Sequence, residues 1–129
     1  KIDKLAVKDD EVMVHDFKTG KPLKRFSNSS GKSMSYERQL VFYKLLVENT
    51  ADFRGQTVEE GVLEFVEPDK SKIITLEKEI DSEEVERLKE LIQVVYDHIT
   101  NLNFPDVSGY DETAKGVRNF IENLIKGEV

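Results

Sequence analysis

Asp3, Asp16 and Lys18 are the residues whose types and spacing best suit chemistry on a phosphodiester. Oxygen ligands from two carboxylates hold a hard cation such as Mg²⁺ and leave positions for water. Such an ion polarises a phosphate and lowers the pKa of a bound water, and an ammonium group nearby orients that water or stabilises the developing charge. The set predicts metal-dependent phosphodiester hydrolysis, provided that the fold brings the three groups together.

A predicted β-hairpin would bring them together. The alternating, β-branched runs Ile2 to Val7 and Val12 to Phe17 are separated by a polar segment. If Asp9-Asp10 is a two-residue turn, facing residues have numbers that sum to nineteen, so Asp3 faces Asp16. Facing residues lie about 5 Å apart on one side of the sheet, where two like charges are destabilising unless a cation lies between them.

Lys18 lies two residues beyond Asp16 and therefore points to the same side of the sheet. The spacing has a second explanation. The same three side chains would form a solvated ion-pair cluster on an exposed sheet face, and spacing alone favours neither interpretation.

Three blocks of the sequence resemble, in the same order, blocks of the RecB-family nucleases, which are PD-(D/E)XK nucleases. They are Lys1 to Leu5 (KIDKL), Val14 to Gly20 (VHDFKTG) and Gln39 to Tyr43 (QLVFY). The family patterns are G-x-(I/V)-D-R-(I/V)-D, (V/L)-x-D-(Y/F)-K-T-G and Q-L-x-x-Y. Such nucleases are often fused to the C-terminus of UvrD-like and AddAB-type DNA helicases.

The resemblance implies a role for each matching residue. Asp3, Asp16 and the backbone carbonyl of Phe17 would be metal ligands for Mg²⁺, or for Mn²⁺ in its place. Lys18 would be the catalytic lysine.

Gln39 and Tyr43 would complete the implied catalytic set. Because they are four residues apart, they share one face of a helix and can both reach the site or the DNA backbone. Contacts to DNA phosphates are expected from the basic residues that crowd one segment, namely Lys21, Lys24, Arg25 and Lys32.

The sequence departs from the family pattern in several ways. Lys4 replaces the usual Arg, and Ala6 stands where the family often has a second Asp. The family's preceding helix with its acidic residue is not seen before Asp3. We therefore expect a C-terminal fragment of a longer chain, with the N-terminal part of the core missing and no helicase motor. Because the sequence contains no Cys, no iron–sulfur cluster is expected.

The predicted fold is a single α/β domain over residues 1–129, and the resemblance implies a restriction-endonuclease-like core with a mixed β-sheet flanked by helices. After the hairpin, Thr19 to Ser33 reads as a long loop. The element order is ββαββαα. The later elements are a helix from Ser35 to about Asn49, strands Val58 to Val66 and Ile73 to Leu76 joined by a turn at Pro68 to Ser71, a helix capped by Asp81, and a helix from about Glu112 to Lys126.

Composition restricts the classes of function. The net charge of −7 argues mildly against a protein that binds nucleic acid over its whole surface. The absence of Cys excludes thiol catalysis and fits a reducing cytosol, so a cytoplasmic protein is expected. No apolar stretch is long enough to span a bilayer, so we expect a soluble protein without a membrane partner.

Other candidate motifs favour structural roles. Ser30 to Ser33 (SGKS) resembles the end of a phosphate-binding P-loop, but Phe26 stands where that motif needs Gly, so a flexible loop is expected instead. His15 and His98 are isolated histidines, and Tyr36 and Phe42 are expected to be needed for the core.

The sequence therefore predicts a Mg²⁺-dependent deoxyribonuclease domain that is attached to an ATP-dependent helicase of recombination or repair. The alternative is a nuclease-like module without activity that binds DNA or a partner protein. The sequence predicts no oligomeric state.

Overall fold

The computed structural model describes residues 1–66 and 72–129 and confirms the predicted α/β class and element order. The predicted turn at Pro68 to Ser71 lies outside the described residues. The elements are β1 (Lys4–Lys8), β2 (Glu11–Lys18), α1 (Gly31–Glu48), a 3₁₀ turn (Ala51–Phe53), β3 (Thr57–Val66), β4 (Ile73–Glu79), α2 (Ser82–Thr100) and α3 (Ala114–Lys126).

The four strands form one mixed sheet in the order β1-β2-β3-β4. The outer pairs β1/β2 and β3/β4 are antiparallel, and the central pair β2/β3 is parallel. Parallel neighbours cannot be joined by a tight turn, so the chain must cross over the sheet between them. Helix α1 makes this crossover and packs on β2 and β3.

The register of the β1–β2 hairpin confirms the prediction made from turn length. Leu5 pairs with Val14 and Val7 with Val12. Asp9 adopts the left-handed conformation, with φ of 54°. Tight two-residue hairpin turns require such values, and Asp tolerates them better than most residues.

The core lies between one face of the sheet and α1. Val12 and Val14 of β2 and Leu63 and Phe65 of β3 are almost fully buried, as is Leu40 of α1. Close approach of the helix requires a glycine in β3. A Cβ atom on Gly61 would lie 2.9 Å from Cδ2 of Leu40.

An ion pair with a buried lysine connects the C-terminal end of α1 to the start of β3. The ammonium of Lys44 donates to Oε1 of Glu48 at 2.6 Å and also to the carbonyl of Val58. The same Glu48 oxygen accepts the backbone N–H of Val58 at 3.0 Å. Both charged groups therefore have partners, as burial requires.

Helix α1 begins at Gly31, so the predicted start at Ser35 and the flexible loop at Ser30 to Ser33 were wrong. The side chain of Ser30 caps the helix by accepting the backbone N–H of Ser33 at 3.2 Å. Ser33 is fully buried, and its hydroxyl accepts the N–H of Ser27 and donates to Glu37. These hydrogen bonds stabilise a turn that apolar periodicity does not reveal.

The predicted capping box of α2 is present, with Asp81 and Glu84 as its two members. Only the first half of α2 is covered, because α1 and α3 both pack against that half. Its later apolar residues are exposed and line an open groove of about 630 Å³ beside α1, together with Phe42. The expectation that Phe42 belongs to the core was therefore wrong.

Over residues 1–66 and 72–129, no helix combines the length and apolar character needed to cross a membrane.

Candidate active site

Asp16 is the buried centre of the candidate site. Val12, Val14 and Asp16 alternate along β2 and all face α1, so the carboxylate is only 3% exposed. A buried carboxylate is costly unless it is paired or hydrogen-bonded. Its Oδ1 accepts a hydrogen bond from the hydroxyl of Tyr43 at 3.0 Å, and its Oδ2 forms an ion pair with the ammonium of Lys18.

Lys18 lies at the end of β2 and is held from three directions. Besides the ion pair with Asp16, its ammonium donates to Oε1 of Gln39 at 2.6 Å. The ammonium also lies over the ring of Tyr36, 4.4 Å from the ring centroid. The side chain is 16% exposed, so it remains accessible to a bound molecule.

Gln39 and Tyr43 are one helical turn apart on α1 and contact each other, as their spacing predicts. The Gln39 amide donates to the Tyr43 hydroxyl at 2.7 Å. Burial raises the pKa of Tyr43 to about 12, with further contributions from the hydrogen bond to Asp16 and its charge. The phenol therefore stays protonated at neutral pH and can keep donating to the carboxylate.

Asp3 lies one residue before β1, just beyond the last hairpin pair, Lys4 with His15. Its carboxylate accepts the backbone N–H of Phe17 at 2.9 Å. The Asp3 charge also contributes to the raised pKa of Tyr43. Asp3 is exposed, whereas Asp16 is buried.

These residues fit a divalent cation in their donor chemistry. Oδ2 of Asp16 is buried and accepts no hydrogen bond from the part of the chain that the structure describes, although it forms the ion pair with Lys18. Within the described part of the chain, no group of three or more His, Cys, Asp or Glu residues is arranged to hold a metal. A cation at this position would therefore have at most two carboxylate ligands, those of Asp3 and Asp16, and would need backbone oxygens such as that of Phe17 and water to complete its ligands. Mg²⁺ commonly binds through one or two carboxylates and water.

The four basic residues expected to bind DNA are all exposed. Lys21, Lys24 and Arg25 lie between β2 and α1, and Lys32 lies in the first turn of α1. The Lys32 ammonium donates to the carbonyl of Lys21 at 3.2 Å and lies 5.6 Å from the ring centroid of Tyr36. Of the four, Lys32 has its ammonium at the ring that also contacts Lys18, whereas Lys21 is joined to Lys32 through its backbone carbonyl, and no described contact links Lys24 or Arg25 to the site.

Two contacts were missed from the sequence, one of Tyr36 at the site and one of Arg118 with the segment that precedes α1. Tyr36 was expected only in the core, yet its ring also contacts the ammonium of Lys18. Arg118 of α3 donates to the carbonyl of Asn28, in the segment that carries the basic residues. The position of Tyr36 three residues before Gln39 was the available signal, whereas nothing in the sequence links positions 28 and 118.

His15 lies outside the site, as expected. It alternates away from Asp16 on β2 and forms a pair with Glu64 of β3.

A mixed sheet with two acids and a lysine at one end of a hairpin, backed by Gln and Tyr from the crossover helix, is an arrangement suited to phosphodiester hydrolysis. The chain belongs to the PD-(D/E)XK nuclease superfamily, whose family model matches residues 1–113. No significant match was found among curated proteins, nor among solved structures. Membership of this superfamily suggests nuclease activity.

Proposed function

We propose that this chain is a DNA nuclease domain of the RecB family that requires Mg²⁺, or Mn²⁺ in its place. The observation that carries the proposal is the position of Lys18. Its ammonium contacts the buried carboxylate of Asp16 and the amide of Gln39, beside the segment in which Asp3 holds the backbone of Phe17. Superfamily membership over residues 1–113 supports the reaction class.

Each residue of the candidate site would have a distinct role. Asp3, Asp16 and the carbonyl of Phe17 would hold the metal, which when bound supplies phosphate polarisation and a bound water of lowered pKa. Lys18 provides a positive charge for the phosphate or the attacking water. Gln39 fixes the Lys18 ammonium at 2.6 Å, and Tyr43 fixes one carboxylate oxygen of Asp16 at 3.0 Å.

Two substitutions test the proposal. Asp16→Asn removes the charge of the buried ligand, and Lys18→Met removes the ammonium while keeping an apolar side chain of similar length. We expect each variant to lower the rate of DNA cleavage in Mg²⁺ by about 100-fold or more, the size of effect seen when a group that stabilises transition-state charge is removed. Cleavage is measured on linear and closed circular DNA, and on single and double strands, which also separates end-dependent from internal cutting.

Asp10→Asn is the matched control for the acidic substitution. Asp10 is exposed in the hairpin turn, so the same change of charge should leave cleavage unaffected. DNA binding is measured in parallel in Ca²⁺. DNA binding by the full-length protein without cleavage in Mg²⁺ or Mn²⁺ would overturn the enzymatic proposal and favour the inactive nuclease-like module.

We also propose that this domain works with an ATP-dependent DNA helicase of recombination or repair. The support is the resemblance of three ordered sequence blocks to nucleases that are fused to such helicases. The native protein, purified without denaturation, should show ATP-dependent unwinding of duplex DNA in the same fraction as the nuclease. Separation of the two activities through successive purification steps would contradict this association.

A further inference from the structure

Tyr36 occupies a fixed position between the core and the candidate site. It lies on α1, three residues before Gln39, and therefore on a neighbouring part of the same helix face. Its ring is half-buried and packs on the ring of Phe65, with centroids 6.3 Å apart and planes inclined by 50°. Because Phe65 is fully buried in β3, the core holds the orientation of the Tyr36 ring.

The Tyr36 ring also contacts a charged group. The ammonium of Lys18 lies 4.4 Å from the ring centroid, within the range in which the negative face of an aromatic ring attracts a cation. An ammonium has three N–H groups. The Lys18 ammonium has two polar partners, the carboxylate of Asp16 and the amide oxygen of Gln39, and the Tyr36 ring provides a third contact.

We propose that Tyr36 is a positioning residue for Lys18 and that its ring holds the ammonium at the candidate site. The inference rests on the nuclease function proposed above, which gives the position of Lys18 its importance. Without the ring, Lys18 keeps two polar contacts but loses the surface that limits its movement toward solvent. Tyr36 itself need not touch the substrate.

The Lys32 ammonium approaches the same ring, but at 5.6 Å it lies farther from the centroid. It also donates to the carbonyl of Lys21, which ties it to the segment preceding α1. Lys18 is therefore the cation that the ring holds more closely. The attraction should depend on the aromatic face and not on the phenol hydroxyl.

The first measurement tests the contact without reference to activity. In the full 129-residue chain labelled with ¹³C at lysine, the ε-methylene signals of Lys18 are identified by their loss in Lys18→Arg. We expect these signals to be shifted upfield by the Tyr36 ring current, to remain shifted in Tyr36→Phe, and to return to ordinary lysine positions in Tyr36→Leu. Unshifted Lys18 signals in the unaltered chain would overturn the inference, even if Tyr36→Leu failed to fold.

The second measurement tests the consequence for cleavage. Tyr36→Leu should lower kcat about tenfold, equivalent to about 1.4 kcal/mol, with little change in the KM for DNA. Tyr36→Phe should restore most of the rate. Tyr96→Leu is the matched control, because Tyr96 is 62% exposed on α2. An unchanged kcat in a folded Tyr36→Leu variant would contradict the positioning role.

The two measurements separate the possible failures. If the full-length protein does not cleave DNA, the proposed function fails, while the lysine signals still decide whether Tyr36 holds Lys18. If the chain cleaves DNA but the Lys18 signals show no ring-current shift, the function stands and the positioning role fails.

Discussion

Removal of one hydroxyl group tests whether α1 organises the candidate site. Tyr43→Phe keeps the ring and its buried volume but removes the donor to Oδ1 of Asp16 at 3.0 Å and the acceptor for Gln39 at 2.7 Å. Hydrogen bonds to charged groups contribute about 1.5–3 kcal/mol each, more than neutral ones. Since the Asp16 carboxylate is buried and water cannot easily replace the phenol, we expect Tyr43→Phe to lower the free energy of unfolding by about 2 kcal/mol.

The same substitution should also slow cleavage. Lys18 is held by Asp16 and Gln39, and both of these side chains lose a partner when the hydroxyl is removed. We expect kcat to fall about tenfold, which corresponds to about 1.4 kcal/mol of transition-state stabilisation. Urea denaturation followed by circular dichroism measures the first effect, and steady-state cleavage of DNA in Mg²⁺ measures the second.

Tyr110→Phe is the matched control. The Tyr110 hydroxyl accepts a hydrogen bond from the neutral amide of Asn123 at 2.9 Å, on the α3 side of the molecule. Its loss should cost about 1 kcal/mol and leave kcat unchanged. If Tyr43→Phe and Tyr110→Phe had equal effects on stability and neither slowed cleavage, the Tyr43 hydroxyl would have no special role at Asp16.

Two further predictions concern the fold that positions the site. Gly61→Ala should lower the free energy of unfolding, measured by urea denaturation, by about 1–3 kcal/mol, because the new methyl group would lie 2.9–3.1 Å from Leu40 side-chain atoms. Gly109→Ala is the control: its methyl group would meet no atom within 4 Å and should change the free energy of unfolding little. Lys78→Met should lower the free energy of unfolding by about 1 kcal/mol at pH 8, because the ammonium pairs with Glu84 at 2.8 Å. Burial alone would lower the pKa of Lys78, but its acidic partners outweigh burial and raise the pKa overall. The stabilisation from the ion pair is therefore fully present below the ordinary lysine pKa and is lost as the pH rises through the pKa of Lys78 in the folded chain. Thermal denaturation over a series of pH values from 8 upward should therefore show the difference between Lys78→Met and the unaltered chain shrinking as Lys78 loses its proton, and a constant difference would contradict the ion-pair explanation.

The sequence predicted local geometry well where short-range rules determine it. The β1–β2 register follows from a two-residue turn and strand alternation, and the observed pairing of Leu5 with Val14 confirms it. The capping box of α2 follows equally from the spacing of Asp81 and Glu84. The start of α1 was missed because Ser30 and Ser33 stabilise the first turn through side-chain hydrogen bonds, which leave no apolar pattern.

The contacts of Lys18 could not be predicted from local patterns. Its partners Tyr36 and Gln39 lie about twenty residues away on another element, and only the resemblance to a nuclease family pointed to Gln39. Tyr36 is an aromatic residue of the kind expected in the core, and its ring is indeed half-buried against Phe65. Its additional contact with the ammonium depends on where α1 crosses the sheet, which single-sequence periodicity does not determine.

The parallel pairing of β2 and β3 explains why these contacts form where they do. After β2 ends, the chain must return to the opposite end of the strands before the neighbouring strand β3 can start in the same direction, so α1 runs back across β2 and β3. The N-terminal half of α1 therefore meets the end of β2, where Asp16 and Lys18 lie, and its C-terminal end meets the start of β3, where Lys44 contacts Val58. An element order of ββαββαα is equally compatible with other strand pairings, which would carry α1 away from the end of β2. The candidate site thus depends on one topological feature, the parallel central pair, as much as on the identities of its residues.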